Sequence, residues 1–117
     1  MAEKKKDKRT SKRVPVKFQV DFHSDGHFLI EYATNISEQG IFIQTTAPKK
    51  IGTRLELEFS LPDTELKVKA IGTVAWVNPF RKDSEKNYNP GMGIQFESLS
   101  DIDRETILSC IKKVAVL

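Results

Sequence analysis

The sequence predicts a mainly β protein, a six-stranded antiparallel barrel over residues 14–98 followed by one C-terminal α-helix over about residues 100–115. Three observations support this prediction. Apolar and polar residues alternate along several short segments, turn-forming residues recur about every ten residues, and only the last segment has its apolar residues at helical spacing. A chain of 117 residues fits a single domain that buries a core without disulfides or metal.

The first three strands are predicted between residues 14 and 43. Apolar residues alternate with polar ones over residues 16–22, as in a strand with one buried face. Asp25-Gly26 is a turn signal, so residues 28–33 are expected to return as the second strand of a hairpin. Residues 35–40 interrupt the pattern, and the third strand begins immediately after them.

The other three strands follow the same alternation. Residues 55–61 predict the fourth strand and residues 66–77 the fifth. Gly72 disturbs the fifth strand and indicates a bulge or sharp bend of the kind that helps to close a barrel. Residues 78–90 are polar and are expected to form an exposed loop, and residues 92–96 predict the sixth strand.

The C-terminal segment has the signals of a helix. Ser100 is a suitable N-cap, and acidic residues follow it in the first turn, where the helix dipole favours them. Apolar residues recur at helical spacing, at Ile107, Leu108, Ile111 and Val114. The single cysteine, Cys110, excludes an intramolecular disulfide and is expected to be a buried, inert thiol.

Positive charge is concentrated at the N-terminus. Residues 1–14 carry seven Lys or Arg against two acidic residues, a net charge of +5, whereas the remainder of the chain has a net charge of −2. Residues 1–8 are therefore predicted to be a flexible basic arm, and residues 9–117 the folded domain. The mildly acidic body argues against a nucleic-acid-binding face, whereas the arm can attract phosphate.

The sequence disfavours several classes of protein. No apolar run approaches the roughly 18 residues of a membrane span, so no membrane insertion is expected. The charged N-terminus lacks the apolar segment of a secretory signal, and a cytoplasmic location is expected. His23 and His27 flank a turn without the further ligands that a metal site needs. Catalytic signatures are absent from the sequence, so we expect neither an enzyme nor a cofactor.

Two short clusters are candidate ligand contacts. Arg9 and Arg13 form an R-x-x-x-R, and Asn35, Ser37 and Gly40 form an N-x-S-x-x-G between two predicted strands. Two guanidinium groups suit an anion, whereas an amide and a hydroxyl suit the edges of bases. The glycine allows either a positive φ or a close approach of backbone to the ligand.

Each cluster also has a simpler interpretation. Arg9 and Arg13 would be two members of a solvated basic arm, and residues 35–40 would be a turn in which Asn and Ser bond to the backbone. Lys8 and Lys12 are auxiliary candidates that could steer phosphate without making a fixed contact. The two clusters in this order, ahead of a β-rich stretch, favour the ligand-binding interpretation.

With these motifs the chain resembles a stand-alone PilZ domain, the bacterial receptor module for cyclic di-GMP. Further stretches sit where such domains usually carry similar ones, namely residues 13–16, 40–43, 72–76 and 91–94. The resemblance covers residues 9–115 and implies a six-stranded barrel with a C-terminal helix. This is the architecture that the alternation alone predicts.

The resemblance also implies a ligand and a mechanism. Cyclic di-GMP carries two phosphates and two guanines, and arginine can pair bidentately with either a phosphate or the O6/N7 edge of guanine. Arg9 and Arg13 are expected to close over ligand held against the barrel near Asn35 and Ser37. In this hypothesis the ligand orders the basic arm and changes the surface offered to an unknown partner protein. The chain is expected to be a monomer or a weak dimer.

Two other functions are alternatives to this one. The first is a PilZ-like protein-interaction module that does not bind nucleotide; such members usually lack one of the two motifs, and both are complete here. The second is a basic-tailed barrel for single-stranded nucleic acid, which would need exposed aromatic residues between basic ones. The aromatic residues are instead expected to face inward, with Trp76 in the core rather than stacked on a base.

Overall fold

The structure, a computed structural model, describes residues 13–62, 64, 66–80 and 90–116. The described residues form six strands and one helix: β1 Val14–Ser24, β2 His27–Ile36, β3 Gly40–Gln44, β4 Arg54–Ser60, β5 Lys67–Asn78, β6 Gly91–Ser98 and α1 Asp101–Val116. The strands pair antiparallel and close into a barrel in the order β1-β2-β3-β6-β5-β4. The predicted fold class is confirmed.

β1 and β2 are joined by a two-residue turn. Asp25 and Gly26 both have positive φ, at 53° and 79°, as a type I′ turn requires. The strands pair from Ser24 opposite His27 back to Val14 opposite Ile36. The hairpin predicted from Asp25-Gly26 is therefore confirmed.

The barrel interior is filled by the inward-facing members of each alternating pattern. Phe18 and Phe59 pack with ring centroids 5.1 Å apart across the β1–β4 junction that closes the barrel. The other buried apolar side chains of the strands include Val20, Phe22, Ile36, Ile41, Ile43, Leu55, Leu57, Val68, Val74, Met92 and Ile94. Period-two alternation thus identified most of the core.

α1 packs against the barrel and completes the core. Ile107, Cys110 and Ile111 are buried in the same cluster as the strand residues, so the expected burial of Cys110 is confirmed. Ser100 is the predicted N-cap, because its Oγ accepts a hydrogen bond of 3.1 Å from the backbone N–H of Asp103. Within the described residues, no helix is long and apolar enough to cross a membrane.

The expectation that Trp76 lies in the core is wrong, since its side chain is 48% exposed. The pairing of β5 with β6 shifts register between Val74 and Trp76, so Ala75 is the extra residue of a bulge. Beyond it the alternation changes phase, and Trp76 faces outward while Val77 packs against the core. A second register shift directly precedes Gly72 and confirms the irregularity predicted there.

Other aromatic side chains are also more exposed than the sequence predicted. Phe28, Tyr32 and Phe80 join Trp76 among the exposed large side chains. The expectation that aromatic side chains face inward is therefore wrong for these four residues. The mildly acidic charge of the body still argues against a nucleic-acid-binding face.

Candidate functional site

The structure brings the described members of the two motifs together. Arg13 directly precedes β1, and Pro15 at the start of β1 pairs with Asn35 near the end of β2. The Arg13 guanidinium donates a hydrogen bond of 2.6 Å from Nη1 to Oδ1 of Asn35. Residues 22 positions apart are thus joined by the barrel's first strand pair. Arg9, Lys8 and Lys12 lie outside the described residues.

Arg13 is exposed but partly desolvated at this contact. Burial lowers the pKa of its guanidinium from the usual value. Arginine nevertheless stays protonated at neutral pH, because its ordinary pKa is far above 7. A cation with N–H groups left over from the Asn35 contact is consequently presented at the surface.

The turn after β2 is held by the hydroxyl of Ser37. This side chain is buried, and its Oγ accepts hydrogen bonds from the backbone N–H groups of Gln39, at 3.1 Å, and Gly40, at 3.2 Å. The backbone N–H of Ser37 also donates to the carbonyl of Gly40, at 2.9 Å. The turn interpretation of this motif therefore describes the geometry of Ser37.

Gly40 is explained by packing rather than by its φ. Its φ is not positive, whereas Gly26 and Gly52 do have positive φ. A Cβ at position 40 would overlap the carbonyl oxygen of Ile94 in β6. The absence of a side chain lets β3 approach β6 closely at this point.

The same turn is tied to two distant elements. The carbonyl of Gln39 accepts a hydrogen bond of 2.8 Å from the backbone N–H of Phe96 in β6. Glu38 forms a salt bridge of 3.1 Å with Arg104 in the first part of α1. The motif turn is therefore positioned by tertiary contacts, although the exposed ion pair itself contributes little energy.

Asn35 begins a row of residues that crosses four strands on the outer surface. Asn35 pairs with Phe42 on β3, Phe42 pairs with Gly93 on β6, and Gly93 pairs with Trp76 on β5. We call Arg13 and this row the outer strip. Adjacent strands are about 4.8 Å apart, so the row extends for about 14 Å over the barrel surface.

Two stacked aromatic side chains form the far end of the outer strip. The rings of Phe42 and Trp76 are stacked at a centroid distance of 5.3 Å and an angle of 22°. A Cβ on Gly93 would overlap the indole, so the ring lies directly on bare backbone. Phe42 is buried in this arrangement, whereas about half of the Trp76 surface is exposed.

The outer strip combines three kinds of chemistry in one line. Arg13 offers a cation, Asn35 offers an amide, and Trp76 offers a flat π surface. This set can hold a ligand that has both negative charge and an aromatic ring with polar edges. Sequence reasoning missed Trp76, and the signal that could have found it was the break in alternation after Val74.

The strip is a surface and not a deep cavity. A groove of about 480 Å³ lies elsewhere, between α1 and the connection from β4 to β5, where Leu66 and Ile102 contribute to its lining. None of the motif residues lines that groove. Across the described part of the chain, no group of three or more His, Cys, Asp or Glu is placed to hold a metal ion.

The protein is a small antiparallel barrel, and the described members of its two sequence motifs lie together at one surface. The chain matches the model of the PilZ domain family over residues 7–113. Because this match covers most of the sequence, the chain belongs to the PilZ domain family. A search of curated proteins finds no match.

Several solved structures match this chain, and two of them illustrate the similarity in fold. The Bacillus subtilis inhibitor of motility (MotI/DgrA) aligns with a TM-score of 0.75 and 20% identity, covering 97% of this chain and 56% of that chain. The PilZ domain of YcgR from Escherichia coli, solved with c-di-GMP, aligns with a TM-score of 0.69 and 14% identity, covering 94% and 93%. This chain thus spans little more than half of the first structure, and the likeness to both is one of fold.

Proposed function

We propose that this chain is a receptor for cyclic di-GMP. The observation that carries the proposal is the outer strip, in which Arg13 bonded to Asn35 and the exposed indole of Trp76 lie along one surface of a PilZ barrel. The YcgR domain that is similar in fold was solved with this ligand. The proposed function is recognition, and it includes no chemical step.

The chemistry of the ligand fits the groups of the strip. A phosphate can pair with the Arg13 guanidinium, which forms charge-assisted and bidentate hydrogen bonds. The amide of Asn35 accepts from Arg13 through Oδ1, so its NH₂ can donate to an acceptor on a guanine edge. A guanine face can stack on Trp76, a contact worth about 1–3 kcal/mol per base.

Ser37 and Gly40 contribute in a different way in this proposal. The Ser37 hydroxyl and the close fit of Gly40 on β6 hold the turn that follows Asn35. They therefore keep the Asn35 amide in place against Arg13. The Ser37 hydroxyl is buried and its proton faces the carbonyl oxygen of Gly40 at 3.5 Å, so donating to the ligand would require the hydroxyl to turn away from that carbonyl.

Arg9 is proposed to bind the same ligand as Arg13, with Lys8 and Lys12 as auxiliary cations. Binding would hold residues 9–13 against the barrel, and the ligand contacts would offset the entropy lost in fixing them. The surface offered to a partner protein would change as a result. This is the proposed route from ligand to output.

Isothermal titration with cyclic di-GMP, and with GMP as the control ligand, tests the proposal. The intact chain should bind cyclic di-GMP at micromolar or lower concentration and should bind GMP much more weakly. Arg9→Ala and Arg13→Ala should each reduce the affinity at least about tenfold, because each removes charge-assisted hydrogen bonds. Arg54→Ala is the matched control, since this exposed arginine pairs with Glu97 away from the strip.

The single tryptophan provides a second measurement at the strip itself. Cyclic di-GMP should quench Trp76 fluorescence with the same midpoint as the heat signal. Trp76→Ala should weaken binding by about 5- to 150-fold, which corresponds to the roughly 1–3 kcal/mol of one base stacked on an aromatic ring. Phe28→Ala removes an equally exposed aromatic side chain on the β1–β2 hairpin and should leave the affinity unchanged.

If the chain does not bind cyclic di-GMP at micromolar concentration, it is not a cyclic di-GMP receptor. The barrel would then be better described as a protein-interaction module that does not bind nucleotide. Binding that survives both arginine substitutions would instead place the ligand away from the outer strip.

A further inference from the structure

A groove lies beside the outer strip, at the place where β3 ends. It has a volume of about 340 Å³, and its lining includes Lys17, Glu31, Tyr32 and Gln44. Tyr32 of β2 is paired with Gln44 of β3, which follows Phe42 of the strip by two residues. The side chains of Gln44 and Phe42 therefore lie on the same face of the sheet, about 7 Å apart. We call this groove the Tyr32 groove.

The ring of Tyr32 holds a cation at this groove. The Lys17 ammonium lies 5.1 Å from the ring centroid, which is a cation–π contact. Among the described residues, no carboxylate forms a salt bridge with Lys17. An ammonium group has three N–H donors, so Lys17 can donate to acceptors on a ligand while it stays against the ring.

Thr45 fixes the carboxylate of Glu31 in the same groove. The Thr45 hydroxyl donates a hydrogen bond of 3.0 Å to Oε2 of Glu31 and accepts one of 3.1 Å from the backbone N–H of Ala47. The backbone N–H of Thr45 donates to the carbonyl of Pro90, which holds this residue beside the start of β6. One hydroxyl does not saturate a carboxylate, which can accept about four hydrogen bonds. Glu31 is therefore a positioned acceptor that can bind further donors.

The charged groups of the Tyr32 groove match the polar edges of guanine. O6 and N7 of guanine are acceptors that suit a lysine, whereas N1–H and the 2-amino group are donors that suit a carboxylate. Adenine differs at both places, because it has an amino donor in place of O6 and lacks both N1–H and the 2-amino group. Lys17 together with Glu31 therefore favours guanine over adenine.

We propose that the Tyr32 groove binds the second guanine of cyclic di-GMP, an inference that rests on the proposed function. Trp76 can stack on only one of the two guanines. The groove begins about 7 Å from the outer strip, so the other guanine of the same ligand can reach it. Lys17 donates to O6 and N7 of this base, and Glu31 accepts from its N1–H and 2-amino group. Tyr32 is a positioning residue that holds Lys17.

Glu31→Gln separates this proposal from a general attraction for anions. The substitution removes a negative charge near a ligand with two phosphates, so by charge alone it would strengthen binding. In the proposed subsite it weakens binding, because the NH₂ of the new amide opposes a donor of guanine. The amide oxygen can still accept from the Thr45 hydroxyl, so the variant keeps the contact that holds this side chain.

Titration of the full chain with cyclic di-GMP and with cyclic di-AMP, followed by heat and by Trp76 fluorescence, tests the proposal. Lys17→Ala and Glu31→Gln should each lower the affinity for cyclic di-GMP at least about fivefold. The affinity for cyclic di-AMP should change less than about twofold, because neither group pairs with adenine. Arg13→Ala should instead weaken both ligands, since the two dinucleotides have the same phosphates.

Two variants away from the groove are matched controls for the change of charge. Lys112→Ala removes an exposed lysine near the C-terminal end of α1. Glu56→Gln removes the charge of an exposed carboxylate on β4, opposite His23 of β1. Each should leave both affinities within about twofold of the wild type, because charges far from the ligand are screened.

The role of Tyr32 has its own test. Tyr32→Phe keeps the ring and should bind cyclic di-GMP as the wild type does. Tyr32→Leu removes the cation–π contact and should lower the affinity about 2- to 5-fold. In a Lys17→Ala background, Tyr32→Leu should cause no further loss, because the ring acts through Lys17. A further loss in that background would overturn the positioning role.

The outcomes distinguish this inference from the proposed function. If the wild type does not bind cyclic di-GMP, the proposed function fails and the subsite fails with it. If the wild type binds and Arg13→Ala weakens binding, but Lys17→Ala and Glu31→Gln leave the affinity unchanged, only the guanine subsite is wrong. Equal losses for both dinucleotides in Lys17→Ala would make Lys17 a phosphate contact and overturn the proposal. Tighter binding of cyclic di-GMP by Glu31→Gln would also overturn it, and this result does not depend on measuring cyclic di-AMP.

Discussion

β2 is entered and left by two turns that are built in opposite ways. At its start, Asp25 and Gly26 reverse the chain through their own positive φ values. At its end, residues 37–40 reverse it with a buried hydroxyl, a glycine pressed against β6, and contacts to β6 and α1. The first turn is specified locally, whereas the second depends on the assembled barrel.

The comparison shows why only the second turn suits a binding site. The conformation of the first turn is set by its own residues, so it does not depend on the elements packed around it. The motif turn fixes Asn35 relative to β6 and α1 at once. Substitutions in the two turns should therefore differ in cost and in how far their effects spread.

Gly40→Ala should have the largest effect. The new Cβ would overlap the backbone carbonyl of Ile94, which cannot move without separating β3 from β6. We expect the free energy of unfolding to fall by about 3 kcal/mol or more, measured by urea denaturation. A melting temperature within about 2 °C of the wild type would contradict this account of the glycine.

Ser37→Ala should come next. It leaves the backbone N–H groups of Gln39 and Gly40 without the buried acceptor they now use, at a cost of about 1–3 kcal/mol. Ser24→Ala is the matched control beside the other turn, because the buried Ser24 Oγ has no hydrogen-bond partner among the described residues. That control should be neutral or stabilising, and equal losses in the two variants would refute the distinction.

Gly26→Ala should cost less than Gly40→Ala. A Cβ at position 26 meets nothing within 4 Å, so only the positive φ of 79° opposes the substitution. A side chain in this region costs about 1–2 kcal/mol. Backbone amide shifts in a two-dimensional NMR spectrum should stay near the hairpin, and shifts reaching β6 or α1 would show that this turn is not local.

Arg104→Gln should have the smallest effect. It removes the salt bridge to Glu38, whose two side chains are both partly exposed, and should cost no more than about 0.5 kcal/mol. High salt should abolish the difference from the wild type, because exposed ion pairs are screened. A larger loss that persists in high salt would mean that α1 holds the motif turn more firmly than one exposed ion pair can.

Most of the fold could be predicted from the sequence because its signals are local. Alternation along residues 16–22 and 55–61, the Asp25-Gly26 turn and the Ser100 N-cap each act within a few residues. The closed six-stranded barrel with one C-terminal helix also agrees with the resemblance to the PilZ family. These features depend on little beyond neighbouring positions.

The candidate site was predictable only in part. Asn35 and Arg13 were identified from their motifs, and the structure joins them. The outer strip, however, depends on the register of four strands, which alternation does not determine. The bulge at Ala75 reverses the facing of Trp76, and the break in alternation after Val74 does not by itself show which residue of the strand is the extra one.

The contact between the Trp76 indole and the bare backbone of Gly93 has a consequence for evolution. The indole ring of Trp76 fits in this place only if residue 93 is glycine, which has no side chain. Among homologues, a large aromatic residue at position 76 should therefore occur together with glycine at position 93. Homologues with a larger residue than glycine at position 93 should have a smaller residue than tryptophan at position 76. The two columns of an alignment should therefore covary.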